Sequence, residues 1–296
     1  MTAVAAIKAR ARTLPSLAGT RVLLWLAAVT TVVVVLAFLL IPIVALITYQ
    51  PLPDLWSGFG ATVATDAIRV SLETNVIAFA VMIVVGTPFA YILARTRFPG
   101  RSVVLTIVEI PLVMPPAVAG LGLLAAFGRF GLLGSPLTAT GINLAFTRTA
   151  VVIAILFVAS PFYLRGAIAA LEAVDPTLID VAGTLGAGPI RRMLRVAIPL
   201  ARNGLAAAAA VAFARGIGEF GATILFAGSF QGTTQTLPLA VYSLFDANLD
   251  QAIAVGVLLI IVSAAILLVS KLLMRSWTSS TSTSPSRGGR SIFAWH

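Results

Sequence analysis

Residues 171–201 read LEAVDPTLIDVAGTLGAGPIRRMLRVAIPLA, a polar island between strongly apolar stretches. Asp175 followed by Pro176 marks a helix start, with an aspartate cap and proline at the first helical position. Ile179, Ala182 and Leu185 then recur at helical spacing. Gly186 and Gly188 break that helix, and Pro189 opens a second one, basic at Arg191, Arg192 and Arg195, that Pro199 is expected to end. The pattern predicts helix, glycine break, helix. A short amphipathic helix of this kind fits two roles: a knob docking into another protein, or a helix lying on anionic lipid.

The chain on either side decides the medium. Of 296 residues, 59% are hydrophobic and 10% charged, and the mean hydropathy is +1.04. A soluble domain is about 45–50% apolar and about 25% charged. Apolar runs at 22–48, 70–94, 102–127, 150–164, 204–227 and 251–270 compare with the roughly 20 residues a helix needs to cross a bilayer. They predict an all-α integral membrane protein of six transmembrane helices. The run at 22–48 is longer than the apolar core of a signal peptide, about 7–15 residues, so it is expected to remain as the first span.

Charge orients the spans. The segments that share a side with the amino terminus hold Lys8, Arg10, Arg12 and Arg21, then Arg95, Arg97 and Arg101, then Arg165, Arg191, Arg192, Arg195 and Arg202, and finally Lys271, Arg275, Arg287 and Arg290. The other side keeps Arg69, Arg129 and Arg148, a split of sixteen to three. Basic residues accumulate in cytoplasmic loops, so both termini are expected in the cytoplasm. The net charge of +10 then needs no nucleic acid. The expected organisation is a basic cytoplasmic segment (1–21), a six-span domain (22–275) and a disordered Ser/Thr-rich cytoplasmic tail (276–296).

Enzymatic chemistry finds little material. Cysteine is absent, the one histidine is His296, and Lys8 and Lys271 lack the glycine spacing of a phosphate-binding loop. No catalytic set, metal site or cofactor is expected on this chain. Two constellations within the spans remain. Pro111, Pro115 and Pro116 with Gly120 interrupt the third run. Broken helices at membrane depth are tolerated where they line protein or water, which fits a gate or a kinked packing helix. Arg215 and Glu219 lie four residues apart and share one helix face. A charge near the bilayer centre costs about 2.5–3.5 kcal/mol on insertion scales. Arg215 therefore either meets an anion in the pathway or neutralises Glu219 at a helix interface; the pairing is favoured, because an unpaired Glu219 would repel an anion.

The polar island resembles the EAA loop of ABC-transporter permease subunits. That pattern is Glu-Ala-Ala, three residues, Gly, nine residues, then Ile-x-Leu-Pro. Here stand Asp180, Val181 and Ala182, then Gly186, then Val196, Ala197, Ile198 and Pro199, with the glycine and proline in register. Residues 214–223 (ARGIGEFGAT), 234–242 (TQTLPLAVY) and 110–116 (IPLVMPP) are similar to the molybdate/tungstate permeases. Sulfate permeases share the Gly-Glu-aromatic-Gly part, and together the motifs extend over roughly 70–270. The resemblance implies a type I ABC importer architecture in the plasma membrane. It further implies a homodimer, a separate ATPase subunit holding ATP and Mg, an anion-binding protein outside, and a coupling role for Asp180, Val181, Ala182, Gly186, Val196, Ile198 and Pro199. Molybdate or tungstate is the leading cargo, sulfate or thiosulfate the alternative, and a secondary transporter needing no ATPase the rival class.

Overall fold

The computed structural model describes residues 17–279, and every regular element among them is helical. The first helix, α1 (Leu17–Thr48), forms a unit of its own. At about 1.5 Å per residue its 32 residues reach roughly 48 Å. From Val22 onward its exposed side chains are almost all apolar, Trp25 and Phe38 among them. A helix apolar on all sides belongs in lipid or in a core.

The second unit holds α2 (Leu52–Phe59), α3 (Thr62–Arg95), α4 (Arg101–Val113), α5 (Pro116–Phe127), α6 (Gly134–Ala139), α7 (Arg148–Glu172), α8 (Pro176–Thr184), α9 (Pro189–Ile217), α10 (Gly221–Ala227), α11 (Leu237–Phe245) and α12 (Leu249–Ser279). Helix α7 is central, packing on α3 along one side and α9 along another. Its buried residues include Ala150, Val151, Ala154, Ile155, Val158 and Ala159, a stripe at helical spacing.

Small residues set the approach of α7 to α9. A Cβ placed on Gly166 would stand 2.5 Å from the Ala208 Cβ, and one on Gly204 would stand 2.5 Å from the Ala170 Cβ. Helices in lipid gain little from apolar burial as such, so close van der Waals contact between small residues carries the association. Across the α3–α7 contact, the buried Tyr163 hydroxyl lies 2.6 Å from Thr87 Oγ1. Tyr163→Phe is expected to cost about 0.6 kcal/mol, the average for hydrogen bonds between membrane helices, read as a small loss of stability in detergent unfolding.

Several boundaries differ from the expectations. The second, fourth and sixth runs are longer as helices, at Thr62–Arg95, Arg148–Glu172 and Leu249–Ser279. The amino-terminal segment expected at 1–21 loses its last five residues to α1, and residues 1–16 lie outside those described. Helix α12 continues through 276–279 because no glycine or proline intervenes before Pro285; the rest of the expected tail, 280–296, lies outside the described residues. The fifth run does not reach 227, because α9 stops at Ile217 and α10 is separate. Nor does Pro199 end a helix. Residues Met193–Ala197 form a π turn in which the Ile198 amide donates to the Met193 carbonyl. The wider turn absorbs the donor that Pro199 lacks, so the helix continues through it. Among the described residues, five helices are each long and apolar enough to cross a membrane, while α4 and α5 pass that test only as a pair bent by 113°.

Candidate functional site: the polar segment and the bent-helix junction

The polar segment is held at both ends of α8. At its start, the Asp175 side chain accepts from the Thr177 backbone amide at 2.8 Å, and Pro176 occupies the first turn. At its end, the Gly186 amide donates to the Gly183 carbonyl and the Ala187 amide to the Ala182 carbonyl, at 3.0 and 2.9 Å. This paired closure requires a left-handed residue, and Gly186 supplies it with φ of 83°.

Of the residues expected to share one stripe, Ile179 is buried and Ala182 half-buried, but Leu185 is exposed. The chain leaves the helix at Leu185, and its side chain joins Leu178 and Val181 on an open apolar edge. Asp180 is exposed beside them, Val196 and Ile198 are half-buried on α9, and Pro199 is exposed. Gly183 lies close to Arg192, whose Nη1 would stand 3.2 Å from a Cβ there. Helix α8 is thus seated on the start of α9.

The Thr177 backbone amide, and then its side chain, hold the Asp175 carboxyl below the usual carboxylate range. The folded value is depressed, so this cap contributes fully above the ordinary carboxylate pKa and is lost as the pH falls through the lowered value. Asp175→Ala is expected to speed amide exchange at Thr177 and Leu178 at neutral pH. The difference from wild type should disappear in strong acid.

Two arginines join the segment to the transmembrane helices. Arg95, the last residue of α3, donates through Nη2 to the Leu171 carbonyl at 2.6 Å and the Val174 carbonyl at 2.8 Å. Leu171 lies in the last turn of α7 and Val174 just beyond it, so Arg95 spans the end of that helix. Arg101 at the start of α4 donates to the Leu93 carbonyl at 2.8 Å and pairs with Glu172. The α3–α4 turn therefore grips the hinge that leads into α8.

The gate candidates from two distant stretches meet at one junction. The bend falls at Met114–Pro115, with Pro111 inside α4 and Pro116 opening α5. A Cβ on Gly120 would stand 2.6 Å from the Ala222 carbonyl oxygen and 2.8 Å from its Cα, and one on Gly221 would stand 2.6 Å from the Pro116 Cβ. Glu219 accepts from the Ala222 amide at 2.8 Å through Oε1, while Oε2 lies 2.7 Å from Arg215 Nη2. The Glu219 side chain is 1% exposed and that of Arg215 28%. A carboxylate at the start of a helix is favourable, so Glu219 both caps α10 and neutralises Arg215. Glu109 pairs with Arg165 at 3.3 Å, linking α4 to α7.

Residues that spacing did not single out complete the picture. Arg95 acts on acceptors 76 and 79 positions away, beyond any sequence periodicity. At the other end of α3, Glu73 pairs with Arg69 at 2.8 Å and Arg148 at 2.7 Å, and Arg148 also donates to the Gly232 carbonyl. Ser71 accepts from the Leu237 amide, so the start of α11 is fastened to α3 by a buried polar bond.

Comparison with known proteins places this geometry. Residues 86–279 match the model of the family described as "Binding-protein-dependent transport system inner membrane component". The molybdenum transport system permease protein ModB of Mycobacterium tuberculosis is 39% identical over 235 residues, covering 79% of this chain and 88% of that protein. The sulfate transport system permease protein CysW of Synechococcus elongatus is 33% identical over 242 residues, covering 80% and 84%. Among solved structures, a bacterial alginate ABC transporter in complex with its pentasaccharide-bound periplasmic protein contains a chain with TM-score 0.69 and 19% identity, covering 86% of this chain and 95% of that one. That likeness shows a shared fold. With the family model matching most of its length, this chain belongs to the binding-protein-dependent transport system inner membrane components.

Proposed function

We propose that this chain is the membrane-spanning subunit of an ATP-driven oxyanion importer, with molybdate or tungstate as cargo. The observation that carries the reading is α8. It is an exposed short helix capped at both ends, with an open apolar edge at Leu178, Val181 and Leu185, and the hinge that leads into it is held by Arg95 and Arg101 from the facing ends of α3 and α4. Such a helix suits docking into a separate ATPase. The greater identity to ModB than to CysW supports molybdate over sulfate.

In this reading the bent pair α4–α5 counts as one span, giving six, with both termini and α8 in the cytoplasm as the arginine asymmetry requires. Two copies form the pathway, each docks one ATPase subunit that holds ATP and Mg, and a binding protein delivers the anion from outside. Closure of the ATPases draws the α8 helices together. Arg95 transmits that displacement to α3 and α7, and the junction of α5 with α10 shifts between closed and open. This chain performs no covalent step. Its Asp180, Val181, Ala182, Gly186, Val196, Ile198 and Pro199 form the coupling segment; Pro111, Pro115, Pro116, Gly120, Arg215 and Glu219 shape the gate.

The test is ATP hydrolysis in liposomes holding this chain and its ATPase partner, with a binding protein loaded with molybdate, tungstate or sulfate. Stimulation by the molybdate- or tungstate-loaded protein, lost in Gly186→Glu at normal membrane levels, is the expected result. Stimulation by sulfate alone would assign the alternative cargo. Anion uptake by the chain without an ATPase would overturn the reading in favour of a secondary transporter.

A further inference from the structure

Beneath α8 lies a cavity of about 720 Å³ whose wall includes Arg95, Arg97, Arg101, Arg192, Glu172 and Asp180. Four guanidinium groups face two carboxylates, and Glu172 is already held by Arg101. Arg97 and Arg192 form no ion pair among the described residues. Arg95 spends Nη2 on two carbonyls, but its Nε is buried without an acceptor, and the Nε of Arg192 is in the same condition. With Arg101 paired to Glu172, Arg95, Arg97 and Arg192 share this cavity with no carboxylate bound to them among the described residues, and that excess of positive charge favours an anion. A guanidinium presents parallel N–H groups that fit the oxygens of a phosphate-like anion.

We propose that this cavity binds a tetrahedral oxyanion of phosphate-like charge and shape, bridging the α3–α4 turn to α8 and α9. The bound anion would pair Arg97 with Arg192 across the cavity and fasten the coupling segment to its neighbours. The site lies at the end of the bundle that carries α8, separate from the junction of α5 and α10. The inference goes beyond the transport reading and does not depend on which anion is carried. Its chemistry is shared by a free inorganic oxyanion and a phospholipid headgroup.

The test measures the thermal midpoint of the full-length chain in nanodiscs, with inorganic phosphate or with chloride at equal ionic strength. One set of discs holds phosphatidylcholine alone, and the other adds phosphatidylglycerol. A phosphate-dependent rise in phosphatidylcholine, lost in Arg97→Gln and Arg192→Gln but kept in Arg191→Gln, supports a site filled by a free anion. A rise on adding phosphatidylglycerol, with the same dependence on the variants, supports the site with a headgroup as its source. Arg191 is exposed and lies outside the cavity wall, so it controls for general charge screening. If Arg192→Gln fails to fold, Arg97→Gln decides alone, because Arg97 is exposed. Equal rises in wild type and Arg97→Gln, an equal loss in Arg191→Gln, or no rise in either disc would overturn the proposal.

Discussion

Arg95→Gln is expected to lower transport by about tenfold or more while leaving the ATPase bound. Hydrogen bonds from a charged group contribute about 1.5–3 kcal/mol each, and each 1.4 kcal/mol is a factor of ten. Arg95 makes two, to the Leu171 and Val174 carbonyls, and through them α3 holds the hinge between α7 and α8. Glutamine is too short to span both acceptors. In the proposed reading, α8 without this grip would move with the ATPase and the displacement would no longer be passed to α3. Co-purification of the ATPase should therefore persist while hydrolysis loses its dependence on the loaded binding protein. Arg95→Lys should recover only part of the activity, since an ammonium lacks the planar fork. Wild-type transport in Arg95→Gln would show that coupling runs by another route.

Gly120→Ala should be the most damaging single methyl at the α5–α10 junction proposed as the gate. Its Cβ would fall 2.6 Å from the Ala222 carbonyl oxygen and 2.8 Å from the Ala222 Cα, and backbone atoms cannot swing aside as the tip of a side chain can. Overpacking of this kind costs about 1–3 kcal/mol. Helix α5 would have to move off α10, taking with it the contact between Pro116 and Gly221. Gly122→Ala is the matched control: it lies on the same helix, and its added Cβ meets nothing within 4 Å. The expected outcome is a lowered thermal midpoint and lost transport for Gly120→Ala, with wild-type behaviour for Gly122→Ala. Equal behaviour of the two variants would remove the α5–α10 contact from the proposed gate.

The amino-acid sequence by itself determined the membrane class, the helical architecture and the place of the polar segment with its short helix. Those depend on local quantities. Apolar runs are long enough or not, and Asp175 with Pro176 starts a helix wherever it stands. The left-handed turn after α8 needs a glycine, and Gly186 is the residue that takes it. The prolines of the third run announced a break, and Arg215 with Glu219 announced a pair, because both signals lie within one or two turns.

Tertiary structure decided what those signals act on. The break became a bend of 113° with α5 packed against α10, and the start of the fifth run moved because a π turn carries the helix through Pro199. It also brought Gly120 against Ala222, Glu73 against Arg148, and Arg95 against the end of α7. No periodicity encodes contacts between residues some 75 to 100 positions apart. They arise only once the helices pack, and small residues such as Gly120 set how closely they approach.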